Sequence, residues 1–371
     1  MNNFFKRSWV EIDLNKLVTN YTILKEKLGT NKKIMAVIKA DAYGHGDYII
    51  AKKLYDIGVR DFGVSNLDEA CNLRNHGIKG NILIFGYTPS RYAPMILEND
   101  IIQAIVSEEH AEDIIRTNIP IKCNLALDTG MNRIGISTEN MEDCINTIKR
   151  YKSKLNIIGL FTHLCVADEF SEESKKFTNN QIRMYDRIVK SVSDLDINYN
   201  HILNSAGALY YKSDVTDIIR LGIVLYGLKP NHQNILPQGI NPILQWKSIV
   251  SMIKWVNPGE TIGYGRTYTV DKKSRIATIP TGYADGYNRL LSNKGHVIIN
   301  GQKAHIVGSI CMDQLMVDVT NIDNVFVDTE VKLIGKNGEI CYSADDMAKD
   351  LCTIGYEIIC NISKRVMRIY K

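Results

Sequence analysis

Residues 34–46 read Ile-Met-Ala-Val-Ile-Lys-Ala-Asp-Ala-Tyr-Gly-His-Gly, a short apolar run that ends at Lys39 and leads into a glycine-containing loop. A run of this length and composition is typical of a buried strand. Similar runs recur along the first part of the chain, and amphipathic segments separate them. The eight predicted strands are residues 34–39, 61–65, 82–86, 102–106, 121–127, 157–163, 199–203 and 217–221. Eight alternating strand and helix units in about 200 residues predict a (β/α)8 barrel of the TIM type.

The pattern changes after Gly227, where proline and glycine interrupt the chain and strand-like runs replace the helical segments. The predicted strands of this part are residues 246–256, 275–280, 296–299 and 314–319, and residues 343–351 predict one helix. We therefore expect an α/β barrel domain over residues 10–230. We expect a β-rich, essentially all-β domain over residues 231–371, joined by residues 1–9. The strand-like residues 9–12 precede the barrel, and pairing with the β-rich domain is an alternative for them.

Composition excludes several classes of function. The 371 residues carry 45 Lys and Arg against 41 Asp and Glu, so a net charge of +4 without a basic run argues against a nucleic-acid partner. The eight cysteines form no CxxC pair and have no metal-like histidine spacing, which predicts free thiols, a reducing compartment and no metal. Short apolar runs predict no membrane contact and a cytoplasmic protein, although a soluble domain of a larger membrane protein would have the same composition.

Candidate reactive groups follow from the barrel, because such enzymes carry them at the carboxyl ends of the strands. Lys39 ends the first strand. A lysine that leaves an apolar strand at a barrel mouth is partly desolvated, which favours its neutral amine and makes it a candidate for imine formation. The alternative is a lysine whose stem lies along the strand end while its ammonium group reaches solvent.

Other polar residues follow other predicted strands. His163 and Arg133 lie at two strand ends, and the loops after strands seven and eight carry Ser205, Gly222 and Ile223, where barrels commonly bind phosphate. Singly, each has a structural alternative, since a strand-end histidine is often only hydrogen-bonded and Asn-Ser-Ala-Gly can cap a helix. Together, a lysine, a ring-stacking histidine, an arginine and a phosphate cradle suit pyridoxal phosphate.

At this point the motifs resemble a known family. The segment quoted first is similar to the pyridoxal-phosphate lysine motif of the alanine racemase family. The other similar motifs, in the same order, are residues 128–133 (Asp-Thr-Gly-Met-Asn-Arg), 204–206 (Asn-Ser-Ala), 220–223 (Arg-Leu-Gly-Ile), 263–265 (Gly-Tyr-Gly), 282–286 (Gly-Tyr-Ala-Asp-Gly), 311–314 (Cys-Met-Asp-Gln) and 355–357 (Gly-Tyr-Glu). The resemblance implies a barrel followed by a β domain, bound pyridoxal 5'-phosphate, and a homodimer whose active sites are shared between subunits.

The resemblance also implies residue roles. Lys39 would carry the cofactor and act as one acid/base, and Tyr264 of the partner subunit would act as the other. The other implied cofactor-binding residues are Tyr43, His163, Ser205, Arg220, Gly222, Ile223 and Tyr356. The implied substrate-binding residues are Arg133, Met312 and Tyr283, and His201 is implied to support the catalytic groups. Two bases on opposite sides of the cofactor are the simplest way to remove an α proton from one face and return it to the other.

Two positions depart from the resemblance. Many family members have a carbamylated lysine in the pattern Lys-x-Asp-Thr-Gly-Met, and that lysine orients the arginine that corresponds to Arg133. This chain has Ala126 there, so Asn124, an anion or a water molecule must hold Arg133. Cys165, close to His163, stands where smaller or hydroxyl residues are usual.

The resemblance implies an amino-acid racemase that acts on alanine or serine and supplies D-amino acid for peptidoglycan precursors. One methylene or hydroxyl group changes specificity by only about 1–3 kcal/mol, so the motifs leave alanine and serine open. The family also includes serine racemase domains fused to membrane segments in vancomycin resistance. Two alternatives from other classes are a non-catalytic pyridoxal-phosphate carrier and an amino-acid decarboxylase of related architecture.

Overall fold

The computed structural model describes residues 7–29 and 32–371, and the chain divides into two compact units. The barrel unit comprises Val18–Leu225 and Gln233–Ile240. The β-rich unit comprises the described residues up to Leu17, Tyr226–His232 and Asn241–Lys371. Within the described ranges, none of the helices combines the length and the apolar character needed to cross a bilayer.

The strands and helices alternate in the first part of the chain, and strands dominate the second. The strands are β1 (Ser8–Ile12), β2 (Lys33–Val37), β3 (Asp61–Val64), β4 (Asn81–Ile84), β5 (Ile102–Ile105), β6 (Lys122–Asp128), β7 (Ile136–Ser137), β8 (Asn156–Phe161), β9 (Ile218–Leu221), β10 (Leu244–Ile249), β11 (Met252–Val256), β12 (Thr261–Ile262), β13 (Tyr268–Thr269), β14 (Ser274–Ile279), β15 (His296–Ile299), β16 (Gln302–His305), β17 (Leu315–Asp318), β18 (Glu330–Asn337), β19 (Ile340–Tyr342) and β20 (Met367–Tyr370). The helices are α1 (Leu14–Leu28), α2 (Lys39–Gly44), α3 (Asp47–Asp56), α4 (Leu67–Asn75), α5 (Ala93–Glu98), α6 (Glu108–Thr117), α7 (Met141–Lys152), α8 (Glu172–Ser191), α9 (Ser205–Tyr210), α10 (Ala344–Asp350) and α11 (Gly355–Cys360).

The barrel unit is built on one curved parallel sheet in the order β9-β2-β3-β4-β5-β6-β8, with β7 beside β6. At the free edge of β8, its last residue Phe161 forms a single parallel bridge with His201, and the amide of Arg220 in β9 donates to the Leu203 carbonyl across 3.0 Å. These contacts close the sheet into a ring, which confirms the predicted (β/α)8 barrel. Met35, Ala126 and Phe161 are among the apolar side chains that fill its interior.

The predicted seventh strand, residues 199–203, was too long, because only His201 forms a bridge in this segment. The Asn200 side chain accepts the Leu160 amide across 2.9 Å, and the amides of Asn198 and Tyr199 both donate to the Ile158 carbonyl. A side-chain oxygen therefore takes the place of a backbone ladder bond in this segment.

The β-rich unit contains a mixed sheet in the order β16-β15-β18-β10-β1-β20, a three-stranded sheet β11-β14-β17 and the hairpin β12-β13. Strand β1 runs antiparallel to β10 and parallel to β20, so residues 9–12 pair within the β-rich unit. The predicted strand 246–256 is in fact two strands, β10 and β11. They separate because the Val250 amide donates to Thr329 while the next amide, that of Ser251, donates to Thr278 in the other sheet.

The helix expected at residues 343–351 is α10, which Ser343 and Asp346 cap by reciprocal side-chain bonds. A second helix, α11, follows and carries Tyr356. Helix α11 is not predicted from the sequence, because it is only six residues long and begins at a glycine.

Candidate active site

The short segment α2, which begins at Lys39, is a left-handed turn and not an ordinary right-handed α-helix. Ala40, Asp41, Ala42 and Tyr43 have φ values of 52°, 56°, 51° and 56°. This conformation costs an L-residue roughly 1–2 kcal/mol, so four in succession persist only where the surroundings impose them. The turn separates Lys39, which is exposed two residues beyond the end of β2, from the buried ring of Tyr43.

Tyr43, Ser205 and Gly222 meet at the ends of β2 and β9. The Gly222 amide donates to the Ser205 hydroxyl across 3.0 Å. A Cβ on Gly222 would lie 2.5 Å from the Tyr43 hydroxyl, so only glycine lets this hydroxyl approach the backbone so closely. Two hydroxyl groups beside a backbone without a side chain are groups of the kind that bind phosphate. These residues therefore fit the phosphate group of pyridoxal phosphate.

Arg220 provides a fixed positive charge inside the barrel. Its Nη1 donates to Nδ1 of His201 across 2.6 Å and to the His201 carbonyl across 2.9 Å. Its Nη2 donates to the carbonyls of Thr162 (2.8 Å) and Ile202 (3.0 Å). Burial lowers the pKa of Arg220 to about 10, which still leaves it charged at neutral pH.

Two histidines beside Arg220 are neutral. Burial lowers the pKa of His163 well below its usual range, and the charges of Arg220, Arg133 and Lys39 lower it further. Burial, and then the charge of Arg220, lowers the pKa of His201 in the same way. Nη2 of Arg220 lies 3.3 Å from Nδ1 of His163. A neutral imidazole ring at this position suits packing against an aromatic cofactor.

Ala126 borders a small cavity. Arg133, Thr162 and His163 also line this space of about 20 Å³, which is the room that about one water molecule needs. Asn124 lies on the His201 side of the barrel, where its side-chain amide is 3.1 Å from Nε2 of His201 and 3.3 Å from the Tyr199 carbonyl. The cavity therefore offers Arg133 space for one small partner.

Tyr264 projects from the β-rich unit. Its side chain is 73% exposed, and the glycines on both sides have φ values of 74° and 72°, which few other residues adopt. It borders a groove of about 690 Å³ that Met252 and Trp255 also line. Tyr264 is thus presented to the outside of the β-rich unit by a turn that depends on glycine.

Tyr283 and Met312 lie on adjacent loops of the same unit. The Tyr283 amide donates to the Cys311 carbonyl across 3.1 Å, and the Ala284 amide donates to the Met312 carbonyl across 3.0 Å. Both side chains are exposed. The structure therefore brings these two predicted substrate-binding residues together.

Three buried or half-buried polar residues that bond to loops around the site were not predicted from the sequence: Glu69, Gln181 and Asp285. Gln181 interrupts the buried face of α8, which is a usable sequence signal. The Asp285 carboxylate is fully buried and accepts from the Gly282 amide (2.9 Å), Arg365 (2.7 Å) and Arg7. Asp285 lies within the quoted motif 282–286, but nothing in the sequence pointed to Arg7 or Arg365 as its partners.

The predicted residues divide between the two units. The barrel unit carries Lys39, Tyr43, Arg133, His163, His201, Ser205, Arg220, Gly222 and Ile223, and the β-rich unit carries Tyr264, Tyr283, Met312 and Tyr356. In the part of the chain that the structure describes, no group of three or more His, Cys, Asp or Glu side chains is placed to hold a metal ion.

Comparisons with known proteins match both parts of the chain. The family model described as "Alanine racemase, N-terminal domain" matches residues 12–230, and the one described as "Alanine racemase, C-terminal domain" matches residues 243–370. The alanine racemase of Halothermothrix orenii is 42% identical, with 98% of this chain and 97% of the relative aligned. The alanine racemase of Clostridium perfringens strain SM101 is 39% identical, with 98% and 95% aligned.

Solved structures give the same result. The alanine racemase of Clostridium difficile 630 superposes with a TM-score of 0.90 at 34% identity, covering 100% of this chain and 97% of that one. The alanine racemase of Bartonella henselae with covalently bound pyridoxal phosphate gives 0.88 at 29% identity, covering 98% and 99%. Three findings agree: the barrel in which Lys39 follows β2, the β-rich unit, and relatives that align over nearly the whole chain. The chain belongs to the alanine racemase family of pyridoxal-phosphate-dependent isomerases.

Proposed function

We propose that this protein interconverts L- and D-alanine, with pyridoxal phosphate joined to Lys39. The observation that carries the proposal is the arrangement of Lys39 and Tyr43 at the two ends of one left-handed turn, with the Tyr43 hydroxyl beside Gly222 and the Gly222 amide bonded to Ser205. This arrangement places an amine and a phosphate cradle at a fixed separation along the same barrel mouth.

The barrel residues would bind and orient the cofactor. When bound, pyridoxal phosphate supplies an aldehyde that joins to amines and a ring that withdraws electrons from the attached amino acid. Arg220 is a donor with no acceptor atom, so at the pyridine nitrogen it would disfavour ring protonation. His163 would pack against the ring as a neutral imidazole. The residues proposed to hold the phosphate are Tyr43, Ser205, Gly222, Ile223 and Tyr356.

Lys39 and Tyr264 would move the α proton. The amine of Lys39 would hold or return the proton on one face, and the Tyr264 phenol would do so on the other. We propose a homodimer in which Tyr264 serves the active site of the partner subunit. The exposure of Tyr264 and the apolar Met252 and Trp255 beside it support a contact between subunits.

The substrate proposal rests on the relatives, whose names specify alanine. Arg133 and the backbone of Met312 would bind the carboxylate, and Tyr283 with Tyr356 would narrow the entrance to small side chains. The match to the C-terminal racemase domain over residues 243–370 weighs against a cofactor carrier or a decarboxylase. Eight free cysteines support a cytoplasmic location, where D-alanine would feed peptidoglycan precursors.

Proton exchange tests this proposal. Purified protein with pyridoxal phosphate is incubated with L-alanine or L-serine in heavy water, and loss of the α-proton signal is followed together with the appearance of the D enantiomer. We expect faster exchange with alanine, and Tyr264→Phe should slow racemisation strongly. Tyr268→Phe, which alters a half-buried phenol in the neighbouring strand β13, is the control. Absence of exchange in the wild type would exclude a racemase, and full activity of Tyr264→Phe would exclude the two-base assignment.

A further inference from the structure

Glu69 links the chain that follows β2 to the chain that follows β3. Its Oε1 accepts the Ala40 amide across 2.8 Å, and its Oε2 accepts the Ser65 amide across 2.7 Å. Ala40 follows Lys39 directly, and Ser65 follows the last residue of β3. A single carboxylate therefore holds the peptide next to the proposed catalytic lysine to the neighbouring strand.

Helix capping explains only part of this arrangement. Glu69 is in the first turn of α4, where acidic residues are common, and Asn66 caps that helix by accepting the Glu69 amide across 3.0 Å. The bond to Ser65 is also local, since a glutamate in this position usually reaches back to the start of its helix. The bond to Ala40, 29 residues away in sequence, adds nothing to the helix.

The Ala40 amide is the first donor inside the left-handed turn. Later amides of the segment bond locally, with Ala42 donating to Ile38 (2.9 Å) and Gly46 donating to Asp41 (2.9 Å). The turn is disfavoured for each of its four non-glycine residues. A hydrogen bond to an ionised carboxylate is about twice as strong as one between neutral groups, so it opposes relaxation at the point where the turn begins.

We propose that Glu69 is a positioning residue for the cofactor site, and that its carboxylate fixes the left-handed turn so that Lys39 and Tyr43 keep their separation. The inference rests on the proposed function, because it assumes that Lys39 and Tyr43 bind the two ends of pyridoxal phosphate. Glu69 acts through the backbone of Ala40 and does not touch the reacting atoms.

The test compares Glu69→Ala and Glu69→Gln with Asp68→Asn, which removes an exposed acidic charge from the same helical turn. Three quantities are measured: the dissociation constant for pyridoxal phosphate after reconstitution, the pH midpoint of the absorbance band of the lysine-bound cofactor, and the unfolding midpoint without cofactor. Glu69→Ala should weaken cofactor binding about 10- to 100-fold and move the pH midpoint, while Asp68→Asn should stay within about two-fold. Glu69→Gln keeps one acceptor oxygen and should lie between them.

A Glu69→Ala protein whose cofactor affinity and absorbance match those of Asp68→Asn overturns the proposal, even if its unfolding midpoint falls. If Glu69→Ala does not fold, the Glu69→Gln spectrum and affinity decide in the same way. The wild-type measurement distinguishes a failure of this proposal from a failure of the proposed function. Wild-type protein that forms no lysine-bound cofactor would contradict the proposed function itself.

Discussion

The side-chain amide of Gln181 donates a hydrogen bond to the backbone carbonyl of His163 across 3.1 Å. Gln181 is only 1% exposed on α8, and it also donates to Thr129 Oγ1 (3.1 Å) and accepts from the Cys165 amide (3.3 Å). One buried amide group therefore ties together the loops after β6 and β8, which carry Arg133 and His163.

Gln181→Met should remove these bonds and leave buried groups unpaired, with a loss of about 2–4 kcal/mol in the free energy of unfolding. Thr178→Val on the same helix is the control, because the fully buried Thr178 hydroxyl has no hydrogen-bond partner among the described residues. That change should alter stability by less than about 1 kcal/mol. Urea unfolding of both variants checks this, and equal losses would contradict the role of Gln181.

Gly222→Ala should weaken pyridoxal-phosphate binding by about ten-fold or more, because its Cβ would lie 2.5 Å from the Tyr43 hydroxyl. Tyr43→Phe removes that hydroxyl, after which the nearest ring atom is 3.2 Å away. The double variant should therefore bind the cofactor better than the product of the two single effects predicts. The dissociation constants are measured by fluorescence titration. If the effect of the double variant equals the product of the two single effects, the two residues are not in contact.

The neutral histidines make stability depend on pH. The folded-state pKa values of His163 and His201 lie below the ordinary value of 6.5, so the unfolded chain binds more protons below that pH. Their contribution to the free energy of unfolding is complete above about pH 6.5. Below that pH it falls by about 1.4 kcal/mol per pH unit for each histidine as the medium is acidified. His201→Asn should reduce the slope of unfolding free energy between pH 6 and 5 by about one proton. An unchanged slope would show that His201 does not contribute to this pH dependence of stability.

Asp285 and Asp313 share one arginine but differ in burial. Arg365 contacts each of them at 2.7 Å, and only Asp285 is fully buried. Asp285→Asn weakens the bonds from Arg7, Arg365 and the Gly282 amide, and because both arginines are partly exposed it should cost about 1.5–3 kcal/mol in the free energy of unfolding. Asp313→Asn, at the surface, should cost less than about 1 kcal/mol. The unfolding midpoints of the two variants distinguish a clamp for the Tyr283 loop from an ordinary surface pair.

Strand periodicity and strand-end chemistry could be predicted from the sequence, because apolar runs and the barrel rule depend on local pattern. Lys39, His163 and the Ser205–Gly222 pair were found in this way. The left-handed turn was not, because alanine and tyrosine disfavour that geometry and the Glu69 carboxylate that accepts the Ala40 amide comes from helix α4. Burial of Asp285 between two distant arginines is likewise a property of the tertiary structure.

The seventh barrel strand shows the same limit. Tyr199 to Leu203 has the residue types of a strand, yet the Asn200 side chain takes the Leu160 amide and leaves one bridge at His201. The competition between a side-chain acceptor and a backbone carbonyl depends on the neighbouring strand, which a local pattern does not specify.

Borohydride trapping identifies the lysine that carries the cofactor. Protein reconstituted with pyridoxal phosphate is reduced and digested, and the position of the pyridoxyl label is read by mass spectrometry. We expect the label on the peptide that contains Lys39, and no label at that position in Lys39→Ala. A label on any other lysine, or none in the wild type, would rule out Lys39 as the residue that carries the cofactor.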